Sequence, residues 1–393
     1  MEIRRLNAKD YDELLEMLNS TFGKHRGREI DFLTEQPKMW LRNDEVMGKH
    51  LGIFDGDKLA AVVGIYHLPT VIGGKRLDFY TTGNVATRPE YEGKGYFTKL
   101  FGMIMDELYK RGADGARLGG ARDRYGRYGF EPIRAPYTHT LNENNRTRGF
   151  ANAGDDVEFK EIELGDAAAL AYCDKLSRCA DIYVERSADE GYRDVFLALT
   201  TKHATPYLAL RGGKPIGYLS AFAKGISIGA ARFGETVAEW RVEQIEDCAP
   251  MLCAWQRTVG KPITFEVGVF EKDIQRIFSR KTETCALDSS HRFKIINFDR
   301  VCDALIKLRA KTERLSLIHY VLDIEGFGKL LIHTDDKNAY CQRTDESADI
   351  TLSHGDASRL LFGESDALAT ADVPTILRTI LPLPFNWCTQ DYT

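Results

Sequence analysis

Apolar and polar positions along the chain alternate between two periods, and each period predicts an element. The opening "EIRRL" has the shape of a short strand, and Tyr11, Leu14, Leu15 and Leu18 then recur at helical spacing with Phe22 one turn further on. A hairpin is predicted next, with "HLGIF" and "KLAAVVGIYHLPTVI" flanking the turn Asp55-Gly56-Asp57. A second turn at Gly73-Gly74 leads into the run "KRLDFYTTGNVAT". Phe97, Leu100, Phe101, Ile104, Met105 and Leu108 then line one face of an amphipathic helix, and Gly112 stands where such a helix stops. A strand at "GARLGGA" and the turn-rich "RDRYGRYGFEP" complete a first unit, residues 1–150. Strands mixed with helices predict an α+β fold with α/β-type layers. The polar stretch "LNENNRTRGFANAGDD", residues 141–156, is predicted to link this unit to the next.

The second unit, residues 151–288, repeats the motif of the first. "PYLALRGGKPIGYLSAF" is again strand, glycine turn, strand, and "AEWRVEQIEDCAPMLCAWQR" is again strand then helix, but no glycine pair opens that helix. This pattern predicts an internal duplication in which the second copy has lost what the glycines did. A third unit, residues 289–393, starts near "HRFKIINFDRV", continues through the helical "CDALIKLRAKTE", and then alternates in "LIHYVLDIEGFGKLLIHT" as a small sheet would. The tail "LPLPFNWCTQDYT" is aromatic and proline-rich, and is expected to pack down.

Composition narrows the function classes. With 393 residues, 43% hydrophobic and 28% charged, the chain is long enough for two or three soluble domains. Its net charge of −5 argues against a general nucleic-acid binder. The apolar runs are too short to span a membrane and no signal core opens the chain, so a cytoplasmic location is expected. Eight cysteines lie between Cys173 and Cys388 with no CxxC pair, which predicts mostly buried thiols rather than zinc ligands or a disulfide framework. None of the nine histidines stands in HxxxH or HExxH spacing, so metal chemistry is not expected.

The chemistry concentrates at "PEYEGKGYFTKL", residues 89–100. Gly93 and Gly95 leave the backbone bare just ahead of a helix, where N–H groups point along the axis and can hold an anion, and Lys94 could add a charge. The pair fits a tight turn equally well. It is neither a Walker loop nor the dinucleotide fingerprint, because Thr98 stands where the third glycine of GxGxxG belongs.

The longer run "GNVATRPEYEGKGYFTKL", followed by "RYGRYGFEP", resembles the pyrophosphate-binding core of the GNAT acyltransferase superfamily, whose loop reads [QR]xxGx[GA]. That pattern falls on Glu92, Gly95 and Phe97, of which only the central glycine matches, and Glu92 is expected to turn outward. The resemblance implies acetyl-CoA as co-substrate and no metal. Its acetyl and pantetheine end would lie on the backbone of Val85, Ala86 and Thr87, and its pyrophosphate on Gly93, Lys94, Gly95, Tyr96, Phe97 and Thr98. Gly120 and Ala121 would line the other wall. Acetyl transfer to an amine needs the amine deprotonated, the carbonyl polarised and the departing thiolate protonated. Tyr125 aligns with the general-acid tyrosine of the family and Tyr128 with a packing aromatic, while both could instead simply pack.

The order of units looks like the Eis family: a GNAT unit, a degenerate GNAT-like copy, and a small domain resembling sterol carrier proteins at "ADITLSHGDASRLLFG". The likeness implies an N-acetyltransferase of small amines, including aminoglycosides, assembled as a hexamer, with the terminal carboxylate as general base. Here that is Thr393, with Asp391 or an ordered water equally open. Phe22 and Trp40 lie where the family builds an aromatic substrate wall and Asp31 could attract a cationic amine, although packing and surface roles fit them as well. The expected partners are therefore a small-molecule amine and further copies of the chain, with neither nucleic acid nor membrane. The competing reading is a non-catalytic acyl-CoA sensor or apolar-ligand module.

Overall fold

The structure, a computed structural model, describes residues 1–120, 122–133, 136–187, 189–222, 235–287, 292–363, 375–383, 385 and 387–391. In the first part of the chain β1 (Glu2–Arg5) precedes the helix Tyr11–Arg26, and β2 (His50–Asp55), β3 (Lys58–Ile72) and β4 (Lys75–Thr87) follow as two hairpins. The helix Tyr96–Lys110 then leads to β5 (Gly115–Leu118), β6 (Glu131–Pro132) and β7 (Tyr137–Leu141). The middle of the chain contributes β8 (Val157–Glu161), β9 (Ile182–Val184), β10 (Ala204–Arg211) and β11 (Lys214–Phe222). After them come β12 (Thr236–Val242), the helix Cys248–Val259, β13 (Ile263–Val267) and β14 (Thr284–Leu287). The last part holds β15 (Arg292–Ile295), the helix Phe298–Thr312, β16 (Ile318–Ile324), β17 (Gly328–Thr334), β18 (Ala339–Arg343), β19 (Ile350–Leu352) and the helix His354–Phe362.

These strands form two large sheets of matching order. One runs β1-β2-β3-β4-β5-β15-β6, with β9 also on β3; the other runs β8-β10-β11-β12-β13-β7-β14. Each has a parallel pair at the same place, β4 with β5 and β12 with β13. The two sheets therefore share a strand order and the place of the parallel pair, but with an exchange. β15 sits between β5 and β6 of the first sheet, while β7 sits between β13 and β14 of the second. The sequence reading places β7 within residues 1–150 and β15 within 289–393, whereas the structure pairs them in the second and first sheets respectively. The slots beside β5 and β13 each need a partner for their unpaired backbone groups, and a strand pattern read locally cannot say which of two similar slots it fills. The stretch 141–156 is likewise more structured than a bare linker, since it winds into a helical turn at Asn145–Gly149.

The four-stranded sheet β18-β17-β16-β19 packs with the helix Phe298–Thr312 into one core that also takes in Leu77 and Phe79 of β4. The tail packs down as expected. Phe385 and Trp387 are fully buried, their rings 4.5 and 5.2 Å from that of Phe293. Five of the eight cysteines are buried, Cys388 is half-buried, and Cys179 and Cys285 are exposed. No helix among the described residues is long and apolar enough to cross a membrane.

Candidate active site

The site begins where two parallel strands part. β4 pairs β5 from Phe79 to Thr82, opposite Gly115 to Leu118, but β4 runs on to Thr87 without it. A bulge helps turn the strand. The register against β3 shifts between Val62 and Gly64, and Asn84 takes a left-handed conformation with φ of 53°. Side chains hold this bulge. Asn84 Nδ2 donates to Tyr66 Oη at 2.5 Å, Tyr66 Oη donates to His50 Nε2 at 2.7 Å, and His50 Nδ1 donates to the Met47 carbonyl at 3.2 Å. Every donor in this buried chain finds an acceptor only while His50 is neutral.

Burial holds the His50 imidazole down to about 4, against an ordinary 6.5. The unfolded chain therefore takes up a proton between pH 6.5 and 4 that the folded chain refuses, so stability falls as pH drops through that window. At about 1.4 kcal/mol per unit the loss is expected to approach 3 kcal/mol. Urea midpoints measured from pH 7 to 4 check this, and His50→Gln should flatten part of the slope.

Below the bulge, Val85, Ala86 and Thr87 line a cleft of about 810 Å³ together with Glu92, Gly93, Gly95, Tyr96 and Phe97. The helix Tyr96–Lys110 opens on Gly95, which has φ of 75° and provides no side-chain cap. The first N–H groups of the helix thus have no side chain competing for them, and the positive end of its dipole faces an unobstructed approach. A Cβ at Gly93 or Gly95 would meet nothing within 4 Å, so both glycines serve backbone conformation and access rather than internal packing. The preceding turn is pinned from outside by Tyr91 Oη donating to Asp55 at 3.0 Å and by Lys58 paired with Glu90 at 2.6 Å.

The sequence-predicted residues divide around this cleft. Lys94 does not line it; its ammonium lies 4.5 Å from the centre of the Tyr91 ring. Thr98 also stands aside, accepting from Arg127 at 3.4 Å. Glu92, expected to turn outward, is exposed but forms part of the cleft wall. The charge it brings is outnumbered by Arg26, Arg124 and Arg127, none of which the loop pattern indicates, and His25 also lines the cleft. Arg124 and Arg127 each sit 5.8 Å from the centre of the Phe97 ring, so the far wall of the cleft is cationic and suited to phosphate groups.

Tyr125 is buried against this wall, its ring edge-on to Phe97 at 5.8 Å and 5.4 Å from Phe101. Gly120 makes that position possible. Its φ is 155° and a Cβ there would lie 2.4 Å from Tyr125 Cε2. Burial raises the Tyr125 phenol above its ordinary value, with Arg124 pulling the other way, so it stays protonated at neutral pH and can donate. Tyr128 packs on Phe101 with ring centres 4.6 Å apart. Ala121 and Thr393 lie outside the described residues.

A second cavity of about 710 Å³ lies against Tyr66 and is lined by Lys38, Asn43, Glu45, His67, Arg186 and Asp391 among others. Arg186, buried, clamps two carboxylates at once. It gives Glu239 a two-point contact at 3.0 and 2.5 Å and reaches Asp391 through Nε and Nη2 at 3.2 and 3.0 Å. Burial pushes the Asp391 carboxyl upward while Arg186 pulls it down. Lys38 Nζ donates to the Gln390 carbonyl at 3.2 Å, so Gln390 and Asp391 are held beside this cavity. Of the residues expected to form an aromatic substrate wall, Phe22 lines the first cleft and Trp40 is core stacked on His50 at 5.7 Å; Asp31, expected to attract the amine, caps a helical turn by accepting from Leu33 N.

The second sheet differs at the matching place. β12 and β13 also part, after Val237, but among the described residues the opening there is a small cavity of about 40 Å³, and Trp240 lies in its wall with Nε1 donating to the Glu266 carbonyl at 2.8 Å. Glu246 and Asp247 already stand at the start of the helix Cys248–Val259, where an anion would have to bind. Among the described residues no three metal-ligating side chains converge.

Residues 2–133 match the family model described as the acetyltransferase (GNAT) domain. The whole chain superposes on the crystal structure of a GCN5-related N-acetyltransferase from Kribbella flavida, with TM-score 0.65, 15% identity and all of both chains covered. A GCN5-related N-acetyltransferase from Anabaena variabilis gives 0.67 at 12% identity over 99% of each chain, and Eis1 from Mycobacterium abscessus gives 0.63 at 14% over 98% of each. A comparison with curated protein sequences finds no significant match. Residues 2–133 are therefore a GNAT acetyltransferase domain, set in a chain that shares its overall fold with GCN5-related N-acetyltransferases and with Eis1.

Proposed function

We propose that the protein is an acetyl-CoA-dependent N-acetyltransferase that moves an acetyl group to a primary amine of a small molecule by direct attack in a ternary complex. The observation that carries this reading is the joining, in one cleft, of the β4 segment freed from β5 with the uncapped helix start at Gly95. Bound acetyl-CoA would supply the activated thioester and a thiolate leaving group. The backbone of Val85 to Thr87 would orient the acyl end, Gly93 to Phe97 with Arg124 and Arg127 would hold the phosphates, and Tyr125 would protonate the departing sulfur. The amine would enter from the cavity beside Tyr66, where Lys38 and Arg186 hold Gln390 and Asp391. The carboxylate of Thr393 is proposed as its base, because Asp391 is committed to Arg186.

The likeness to Eis1 supports extending the reading to an Eis-like enzyme with a homo-oligomeric, hexameric assembly, a cytoplasmic location, an aminoglycoside-like acceptor and a sterol-carrier-like C-terminal domain. Release of free thiol from acetyl-CoA across a panel of polyamines, aminoglycosides and simple primary amines tests the activity. At least one amine is expected to raise the rate well above hydrolysis, and acetyl-CoA binding with no turnover on any amine would leave a sensor instead.

A further inference from the structure

A histidine pair on the C-terminal sheet carries chemistry that the acetyltransferase reading does not use. His319 on β16 and His333 on β17 are direct cross-strand partners, and their Nδ1 atoms face each other at 3.2 Å. Each ring is held from behind. His319 Nε2 lies 2.8 Å from a Glu346 oxygen, and His333 Nε2 lies 3.2 Å from an Asp335 oxygen.

Each carboxylate also accepts hydrogen bonds from elsewhere. Asp335 accepts from the backbone N–H groups of Lys337 and Asn338, both at 2.7 Å. Glu346 accepts from Thr344 at 3.3 Å. A carboxylate can only accept, so each Nε2 must carry the hydrogen. Both Nδ1 atoms then present lone pairs on either side of the 3.2 Å gap between them.

Two lone pairs at that distance repel unless a cation lies between them. Imidazole nitrogens at about 2.0–2.1 Å from a tetrahedral ion stand roughly 3.3 Å apart, close to the spacing found here. A carboxylate behind each ligating imidazole is also the arrangement that orients histidines on metal ions and raises their basicity. We infer that His319 and His333 form a two-histidine binding site for a divalent transition ion of the zinc and copper class, with water completing the coordination. Both Nδ1 lone pairs form bonds to the ion, and any proton shared between the rings is released to solvent. The side chains of His319 and His333 are 52% and 22% exposed, so the ion can enter directly from solvent.

The test is titration of tag-free, chelator-treated protein with Zn²⁺ alone, following the free ion with a chromophoric chelator. One ion per chain is expected, with affinity falling at least tenfold in His319→Gln and in His333→Gln and no further in the double variant. Glu346→Gln is expected to cost about tenfold through the lost support of His319. These side chains are largely on the surface, and an unchanged urea midpoint without zinc establishes that each variant folds. His67→Gln, elsewhere on the surface, should leave binding as it is. No binding by the wild type, or binding that both histidine substitutions leave untouched, would overturn the assignment and leave the pair as one that shares a proton only.

Discussion

Tyr125→Phe is expected to lower kcat for acetyl transfer by at least a hundredfold while leaving acetyl-CoA affinity nearly unchanged. The substitution keeps the ring that packs on Phe97 and Phe101 and removes only the hydroxyl. General-acid catalysis is worth about 10²–10⁴ in rate, so the barrier should rise by roughly 3 kcal/mol or more. Binding should survive because the cradle at Gly93 to Phe97 and the cationic wall at Arg124 and Arg127 do not depend on that hydroxyl. Tyr128→Phe provides the contrast, since the Tyr128 ring packs in the Phe101 cluster and losing its hydroxyl should cost much less turnover. Full activity in Tyr125→Phe would show that another group protonates the sulfur.

The largest expected effect on stability is at Arg186. Replacing it with methionine leaves Glu239 and Asp391 buried together without their shared cation, and breaking a buried pair in this way costs about 3–5 kcal/mol. Against a typical total of roughly 5–15 kcal/mol, such a change should lower the urea midpoint markedly. The pH dependence distinguishes this mechanism from a packing defect. Burial pushes Glu239 upward, yet the Arg186 charge and hydrogen bonds outweigh it and hold the carboxyl low, at about 2. That contribution is present above the ordinary carboxylate value of 4.5 and is lost as pH falls from there toward 2, so the gap between wild type and Arg186→Met should narrow below pH 4.5. Adding Glu239→Gln to Arg186→Met should recover part of the loss at pH 7, whereas a simple cavity would show neither response.

Much of the first unit was legible in the sequence because its signals are local. The hairpins at Gly56 and Gly73, the apolar face from Phe97 to Leu108 and the bare backbone at Gly93 and Gly95 all read out of a dozen neighbouring residues. The exchange of β7 and β15 was not legible, because each is a short strand whose own pattern suits either sheet, and pairing is decided by closure of the whole molecule. The same holds for the clamp at Arg186, whose partners stand 53 and 205 residues away. His50, Tyr66 and Asn84 form a chain only once β3 and β4 are in register, although the pair Gly83-Asn84 inside a strand pattern was a signal that could have suggested a bulge. Arg124 and Arg127 were within reach of sequence reasoning. They flank the predicted acid in "RDRYGRYGF", yet their bearing on the cleft depends on Phe97 lying beneath them.

The account rests on one physical claim, that the helix start at Gly95 and the freed end of β4 make a single acyl-CoA cradle. Calorimetric titration of acetyl-CoA into wild type and Gly95→Val tests it most directly. The valine must adopt a left-handed conformation that costs about 1–2 kcal/mol, and it places a branched side chain beside the anion-binding N–H groups. Wild type should bind one acetyl-CoA per chain, and Gly95→Val should bind at least tenfold more weakly while remaining folded by circular dichroism. Equal affinity in the two proteins, or no binding by the wild type, would contradict the account.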